Sequence, residues 1–232
     1  MKYIFFIPIL IFLIFISSCT AHSNLTLLSN DAGVFSIQIK LHSIFVQYLN
    51  DFEEVAGNLV DSKAVETTLS AREDITDATM TREKNTIVLS FSFKDLFRIV
   101  DNERNSGIFL QKEPNGDRAV LMVFTKKSFI SLLQQYLGVN SIVGYLVPDE
   151  SMHKNEYYTQ LAWAFEEYAS KTEVYHMLDN FLIVLKVHLN GTLVVQKGGT
   201  RIDDTTVVFR LYPLNLLESD SVFSFRWQPA SE

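Results

Sequence analysis

The sequence predicts an α+β fold, in which an antiparallel sheet built from hairpins carries helices packed on one face. Three observations lead to this prediction. Segments with a hydrophobic period of two occur in pairs around polar turns, which is typical of hairpins. Segments with helical spacing fall between those pairs, and do not follow every strand as they would in a parallel α/β fold. No linker rich in proline, glycine or serine divides residues 34–232, so they are predicted to form a single globular domain.

The first strand and helix of this domain are indicated by a change of period. Apolar and polar residues alternate over 35–42, which predicts a half-buried strand. Over 44–55 the apolar residues shift to helical spacing, and Gly57 is placed to end that helix. A further short helix is predicted over 61–72.

A pattern of strand, polar turn, strand and short apolar helix then occurs three times. The first copy covers 74–100, the second 107–138 and the third 192–217. In the second copy the turn Pro114–Asp117 is a strong signal, because proline, asparagine, glycine and aspartate each favour turns. The pattern indicates either a true structural recurrence or the ordinary product of an antiparallel α+β domain.

The most helical stretch lies between the second and third copies. Residues 149–168 begin with acidic and hydroxyl capping residues and continue with an apolar stripe, and a second short helix is predicted over 172–180. A strand is predicted over 181–189. The dipeptide Asn190–Gly191 that follows it is the strongest hairpin signal in the chain. A final strand is predicted over 221–227.

The composition excludes several classes of protein. Of the 232 residues, 47% are hydrophobic and 20% charged, one is cysteine, and the formal net charge is −7. These values are incompatible with a multi-span membrane protein, a disordered chain, a collagen-like chain or a disulfide-stapled scaffold. The acidity also argues against nucleic-acid binding, which needs a basic surface.

The N-terminus has the pattern of a signal peptide. Lys2 is the only charge among the first 18 residues, of which 14 are apolar. The apolar stretch Ile4–Ile16 would span about 20 Å as a helix, whereas a bilayer core is about 30 Å thick. Residues 1–18 are therefore predicted to be a signal peptide and not a permanent transmembrane helix.

The residues Ile16, Ser17, Ser18 and Cys19 resemble the lipobox of bacterial lipoproteins. The resemblance implies cleavage between Ser18 and Cys19 and attachment of lipid to Cys19. The alternative is a secretory signal that contains a cysteine by chance. Cys19 is the only cysteine in the chain, and a secreted protein with one free thiol would be unusual.

Residues 19–33 are predicted to be the lipidated cysteine and a short tether or extended lead-in. Loss of Lys2 with the signal would bring the charge to −8, so the lipid, and not surface charge, would supply the anchoring. The expected partner is thus a membrane, contacted through the lipid on Cys19. The expected location is the bacterial cell envelope, with the choice of membrane and face left open.

The body of the chain resembles spirochaete (Treponema-type) lipoproteins. In that group a lipobox precedes about 200 residues with a few short motifs. The matching residues here are Pro148–Glu150, Glu156–Tyr157, Pro213–Leu217 and Trp227. The resemblance implies no activity, since no catalytic or ligand-binding residues accompany it.

No catalytic motif is present. The sequence contains no glycine-rich phosphate loop, no GxSxG and no HExxH, so no catalytic residue, metal or cofactor is predicted and the protein is not expected to be an enzyme. Three groups have metal-ligand residue types, but solvated helix starts and a polar turn explain them better. They are His153 and Glu156 with Asp149 and Glu150, His176 with Glu173, and Asp203 with Asp204.

Two functions remain open at this stage. The first is a membrane-anchored envelope lipoprotein with a structural or interaction role, for which an envelope protein would be the partner. The second is a carrier of lipid or another hydrophobic ligand. The many aromatic residues could line an apolar groove for such a ligand, or they could fill an ordinary core.

Overall fold

The computed structural model describes residues 20–51, 62–101, 107–137 and 146–230. Seven strands form the larger sheet, called sheet A, in the order β3-β4-β2-β1-β7-β10-β9, and four form sheet B, in the order β5-β6-β11-β8. The strands of sheet A are β1 (Thr20–Leu27), β2 (Gly33–Lys40), β3 (Ile75–Glu83), β4 (Thr86–Phe93), β7 (Leu182–Leu189), β9 (Gly199–Arg201) and β10 (Thr206–Leu211). Those of sheet B are β5 (Ile108–Lys112), β6 (Arg118–Phe124), β8 (Gly191–Lys197) and β11 (Ser221–Pro229).

Six α-helices and one 3-10 helix are found among the described residues. They are α1 (Ser43–Asp51), α2 (Ser62–Ser70), α3 (Leu96–Asp101), α4 (Lys126–Leu137), α5 (Lys154–Ala164), α6 (Lys171–Asp179) and the 3-10 helix Pro213–Leu217. Within the described ranges no helix is long and apolar enough to cross a bilayer. The α+β class is confirmed, with two sheets in place of one. Gly57 and Gly138, predicted as helix ends, lie outside the described residues.

β1 corrects the prediction of a tether over residues 19–33. Thr20–Leu27 lie in the middle of sheet A, antiparallel to β2 and parallel to β7 along their whole length. Ala21 is completely buried, and Ser23 and Leu27 of the same strand are also buried. Buried and exposed residues alternate over most of the segment, as in a half-buried strand. Most of its side chains are small or polar, so the sequence alone does not show this period.

The link between β7 and β8 corrects the strongest hairpin prediction. The two strands do not pair. β7 lies between β1 and β10 in sheet A, whereas β8 pairs with β11 in sheet B. The chain therefore passes from one sheet to the other at Asn190–Gly191. A Cβ atom on Gly191 would lie 2.2 Å from the carbonyl oxygen of Gln228, so glycine is needed here for close approach of the backbones.

The first two copies of the recurrent pattern are hairpins, but the third is not. β3 pairs with β4 before α3, and β5 pairs with β6 before α4, as predicted. In the third copy β8 and β10 belong to different sheets, and β10 instead pairs with the short strand β9. Strand partners are chosen by tertiary packing, which local sequence does not encode.

The core lies between the two sheets and beneath the helices. Phe209 of sheet A faces Phe223 and Phe225 of sheet B, with ring centroids 5.6 and 5.7 Å apart. All six described α-helices bury apolar residues in the same cluster. Most of the opposite surface of sheet A faces solvent, except at Thr206 and Val208 of β10, which are buried, and the opposite surface of sheet B is exposed as well.

Candidate functional surfaces

The predicted lipid site lies outside the described residues. Ser18 and Cys19 precede Thr20, which already belongs to β1. What the structure does describe is the place where the predicted attachment point joins the fold. That place is one end of sheet A, where the strand register puts Thr20 beside Lys40 on one side and Leu182 on the other.

The candidate metal-ligating residues are engaged in helix caps and turns. Glu156 accepts a hydrogen bond from the His153 backbone amide (2.8 Å) at the start of α5. Glu173 accepts hydrogen bonds from the amide and hydroxyl of Ser170 (2.9 and 2.7 Å) at the start of α6. The hydrogen bond from Ser170 is the main factor that lowers the pKa of Glu173.

Three aspartate candidates lie in local turns, whereas His176 lies within α6. Asp203 accepts hydrogen bonds from the amide and hydroxyl of Thr205, and Asp204 lies 2.6 Å from the Arg201 guanidinium. Asp149 accepts hydrogen bonds from the amide and hydroxyl of Ser151. Among the described residues, no three histidine, cysteine, aspartate or glutamate side chains are grouped as a metal site.

The aromatic residues cluster in the core. On the helical side, Tyr48 meets Phe165 edge-on with ring centroids 5.1 Å apart, and Phe45 lies beside both. In sheet B, Phe225 stacks on Trp227 at 5.5 Å. These contacts support the core-filling interpretation for these residues. The hypothesis of a groove for a hydrophobic ligand stays a prediction.

The solvent-facing side of sheet A, called the outer face of sheet A, is mostly polar, with Val34 and Val88 as exposed apolar members, and carries positive charge. Four rows of paired residues alternate with the buried rows across the sheet. Lys40, Arg210 and Lys186 are exposed in the first, second and third rows, counted from the Thr20 end. Most other members of the four rows are small hydroxyl or amide residues: Thr20, Asn24, Thr26, Ser36, Gln38, Thr76, Thr79, Thr81, Thr86, Ser90, Ser92, Thr200 and Thr206.

Carboxylates in or beside the rows of this face are confined to the edge strand β3. Glu83 lies in the first row at a corner of the sheet, and Asp77 is exposed in the bulge between Thr76 and Thr79. None occurs on the five strands between β3 and β9 in these rows. The chain as a whole carries a formal charge of −7, so its negative charge is concentrated on other surfaces. Net charge alone therefore misrepresents the electrostatic field that this face produces.

The outer face of sheet B has the opposite character. Phe109 of β5 is 59% exposed, and it pairs with Leu121 of β6, which is 40% exposed. Val222 and Val195 are exposed on the neighbouring strands β11 and β8. Large side chains on a sheet normally point inward, so an exposed apolar group of this kind is typical of an interaction surface.

An ion cluster links the two sheets at the end of sheet A farthest from Thr20. Asp31, in the turn between β1 and β2, is buried and lies 2.8 Å from the Arg118 guanidinium and 2.7 Å from the Lys112 ammonium. Burial by itself raises the pKa of Asp31, but the hydrogen bonds from Arg118 and Lys112 outweigh it and hold the pKa below its usual range. The cluster thus stabilises the folded state in its ionised form.

Replacing Asp31 by asparagine is expected to lower the free energy of unfolding by about 1–3 kcal/mol near neutral pH. Asparagine tolerates the positive φ of 66° at this position, so the change removes charge with little backbone cost. Since the folded-state pKa is lowered, the stabilisation is present above the unfolded-state pKa of about 3.9 and disappears as the pH falls through the folded-state value. Urea unfolding at several pH values measures this.

Asp204→Asn provides the matched control for that substitution. Its ion pair with Arg201 is exposed, and exposed pairs contribute about 0–1 kcal/mol. Equal losses in the two variants, or a loss at Asp31 that does not change with pH, would contradict the proposed role of the cluster.

Comparisons with known proteins give one structural similarity. No protein-family model matches the chain, and no curated protein matches it. The folded domain of the LppM protein of Mycobacterium tuberculosis, solved by NMR, is similar with a TM-score of 0.46 and 11% sequence identity. The similarity covers 93% of this chain and 92% of that one. A shared backbone arrangement at this level identifies no ligand or activity.

Sequence reasoning missed both outer faces. A signal for each was present, because Ser36, Gln38 and Lys40 alternate with apolar residues in β2, and Ser224 and Arg226 do so in β11. The alternation shows which residues of one strand point outward. It does not show which strands stand side by side, and a surface consists of several strands together.

Proposed function

We propose that the protein is a bacterial envelope lipoprotein, held to a membrane by lipid on Cys19, whose role is structural or interaction-based and not catalytic. The observation that carries this proposal is the position of β1. The strand starts at Thr20, the residue directly after the predicted lipidation site. The described fold therefore extends to the residue next to Cys19, which leaves no tether between the predicted attachment point and sheet A.

The position of β1 is compatible with cleavage between Ser18 and Cys19. All of Thr20–Leu27 follows that bond, so the strand and its pairing with β2 and β7 would be retained. Two or more acyl chains on Cys19 would then hold the domain stably, at about 0.8 kcal/mol per buried methylene. The resemblance to spirochaete lipoproteins is consistent with this proposal and stays a prediction.

The outer face of sheet B supports the interaction part of the proposal. Phe109, Leu121 and Val222 are exposed there, although the chain buries large apolar residues in both sheets and in all six described α-helices. An envelope protein with an apolar contact surface fits this face. Acyl ligand that co-purifies with the protein, measured by native mass spectrometry, would instead favour the alternative function as a carrier.

Cys19→Ala is expected to abolish incorporation of radioactive palmitate and to leave an unprocessed precursor in the membrane. No second cysteine can replace it, because Cys19 is the only one. Electrophoresis of labelled bacteria that express the full chain measures both effects. Ser17→Ala is the matched control, since it keeps a small residue in the lipobox and should retain labelling. Palmitate incorporation by the Cys19→Ala variant would overturn the proposal.

A further inference from the structure

We propose that the outer face of sheet A lies against the headgroups of an anionic membrane and so sets the orientation of the anchored domain. This inference rests on the proposed lipid attachment at Cys19. It adds a second contact between the protein and its membrane, made by the folded domain itself.

No tether separates the predicted lipid attachment point from sheet A. Thr20 is part of β1, and one residue of extended chain spans about 3.3–3.6 Å. Lipid on Cys19 would therefore hold one end of sheet A within a few ångströms of the membrane. A domain held this way has a small set of orientations. The strands of sheet A are either perpendicular to the membrane, or parallel to it with one face of the sheet against the headgroups.

Thr20, the residue next to the predicted lipid, lies on the outer face of sheet A. The register places Thr20 in the same row as Lys40 and Thr86, and this row belongs to the outer face. Ala21, one residue on, points to the core and is completely buried. When the strands of sheet A are parallel to the membrane, the outer face of sheet A therefore contacts it. The outer face of sheet B then points away from the membrane.

The outer face of sheet A is complementary in charge to an anionic membrane. Lys40, Arg210 and Lys186 are exposed along the outer face, and the carboxylates in or beside its rows, Glu83 and Asp77, lie on the edge strand β3. Cations near an anionic leaflet are attracted to it, whereas the acidic remainder of the chain is repelled. Both effects turn the same face toward the membrane.

The lipid anchor reduces the electrostatic attraction that the three cations must supply. Three cations would bind a free, acidic domain to a membrane only weakly. The anchor changes this, because it raises the effective concentration of the face at the membrane and only orientation remains to be decided. Exposed hydroxyl and amide side chains between the cations, such as Asn24 and Thr79, can donate hydrogen bonds to phosphate oxygens.

The orientation is measured with fluorescent labels on the lipidated full-length protein. Cys19 is the only native cysteine, so lipid on it leaves an introduced cysteine as the sole thiol. Gln38→Cys places a label on the outer face of sheet A, and Gln111→Cys places one on the outer face of sheet B. Each protein is reconstituted into vesicles of phosphatidylglycerol and phosphatidylcholine, or of phosphatidylcholine alone, and quenched with iodide.

In the anionic vesicles, the label at position 38 is expected to be quenched about threefold less than the label at position 111. The difference should vanish in neutral vesicles and at about 1 M salt, where the Debye length is about 3 Å. It should also vanish in the triple variant Lys40→Glu, Arg210→Glu, Lys186→Glu. The matched control is Arg98→Glu, Lys127→Glu, Lys197→Glu, which changes the net charge equally at exposed positions elsewhere and should keep the difference.

Several outcomes would overturn the inference. They are equal quenching at the two positions, equal loss in both triple variants, or shielding of position 38 in neutral vesicles. Shielding in bacterial envelopes but not in anionic vesicles would assign the face to an acidic polypeptide instead. Palmitate labelling of the same samples separates the two proposals. Labelled protein without shielding contradicts only the orientation, whereas unlabelled protein contradicts the anchor and the orientation with it.

Discussion

Replacing Ala21 by aspartate is expected to prevent folding of the domain. Ala21 is completely buried in the middle of sheet A, where the register places it between Ile39 and Ile183. A carboxylate there would have neither water nor a cation beside it, at a cost of several kcal/mol. The whole stability of a domain is about 5–15 kcal/mol, so most of it would be lost. Circular dichroism and urea unfolding of the purified protein measure the effect.

The control for this substitution lies three residues further along the same strand. Asn24 is exposed on the outer face, beside Ser36 and Lys186, so Asn24→Asp adds the same charge to β1 without burying it. Its free energy of unfolding is expected to stay within about 0.5 kcal/mol of the unmodified protein. If Ala21→Asp unfolded at the same urea concentration as Asn24→Asp, β1 would not be a core strand.

Replacing Trp227 by alanine is expected to lower the free energy of unfolding by about 3–5 kcal/mol. The indole is 2% exposed, stacks on Phe225 at 5.5 Å and pairs across β11 with Leu193 of β8. Its removal leaves a large cavity between the sheets, which the surrounding strands can fill only in part. The midpoint of urea unfolding measures this loss.

The second tryptophan supplies a matched control. Trp163 in α5 is 65% exposed, and the chain contains only these two tryptophans. Trp163→Ala removes the same atoms from a largely solvated site and is expected to cost less than about 1 kcal/mol. Similar losses in the two variants would show that the inner face of sheet B is not packed as described.

The local elements were predictable because each depends on its own residues. Alternation predicted β2, and turn residues between two strands predicted the hairpins β3–β4 and β5–β6. Helical spacing predicted α5 and α6, but α5 begins at Lys154 after the N-cap His153 and not at the predicted capping residues 149–151. The capping box of Ser170 and Glu173 at the start of α6 was not predicted. Propensity and period act over a few residues, and here the tertiary structure agrees with both.

Strand partners were not predictable in the same way. Asn190–Gly191 has the residues of a two-residue hairpin turn, yet its two strands belong to different sheets. β1 was missed because the residues that alternate with Thr20, His22 and Asn24 at its start are not large and apolar, so they do not mark a period of two. Ala21 and Ser23 are small, and they are buried because β2, β7 and the core surround them.

By itself the sequence determined the α+β class, most of the local elements and the prediction of a lipid on Cys19. These follow from patterns contained in short segments of chain. Only the tertiary structure decided that the chain from Thr20 onward is a central strand and not a tether. It also brought Lys40, Lys186 and Arg210 together on one face of an acidic protein. The physical reason is that β1 pairs in parallel with β7, about 160 residues away in the chain, and such a pairing is stabilised by a shared core that no local pattern records.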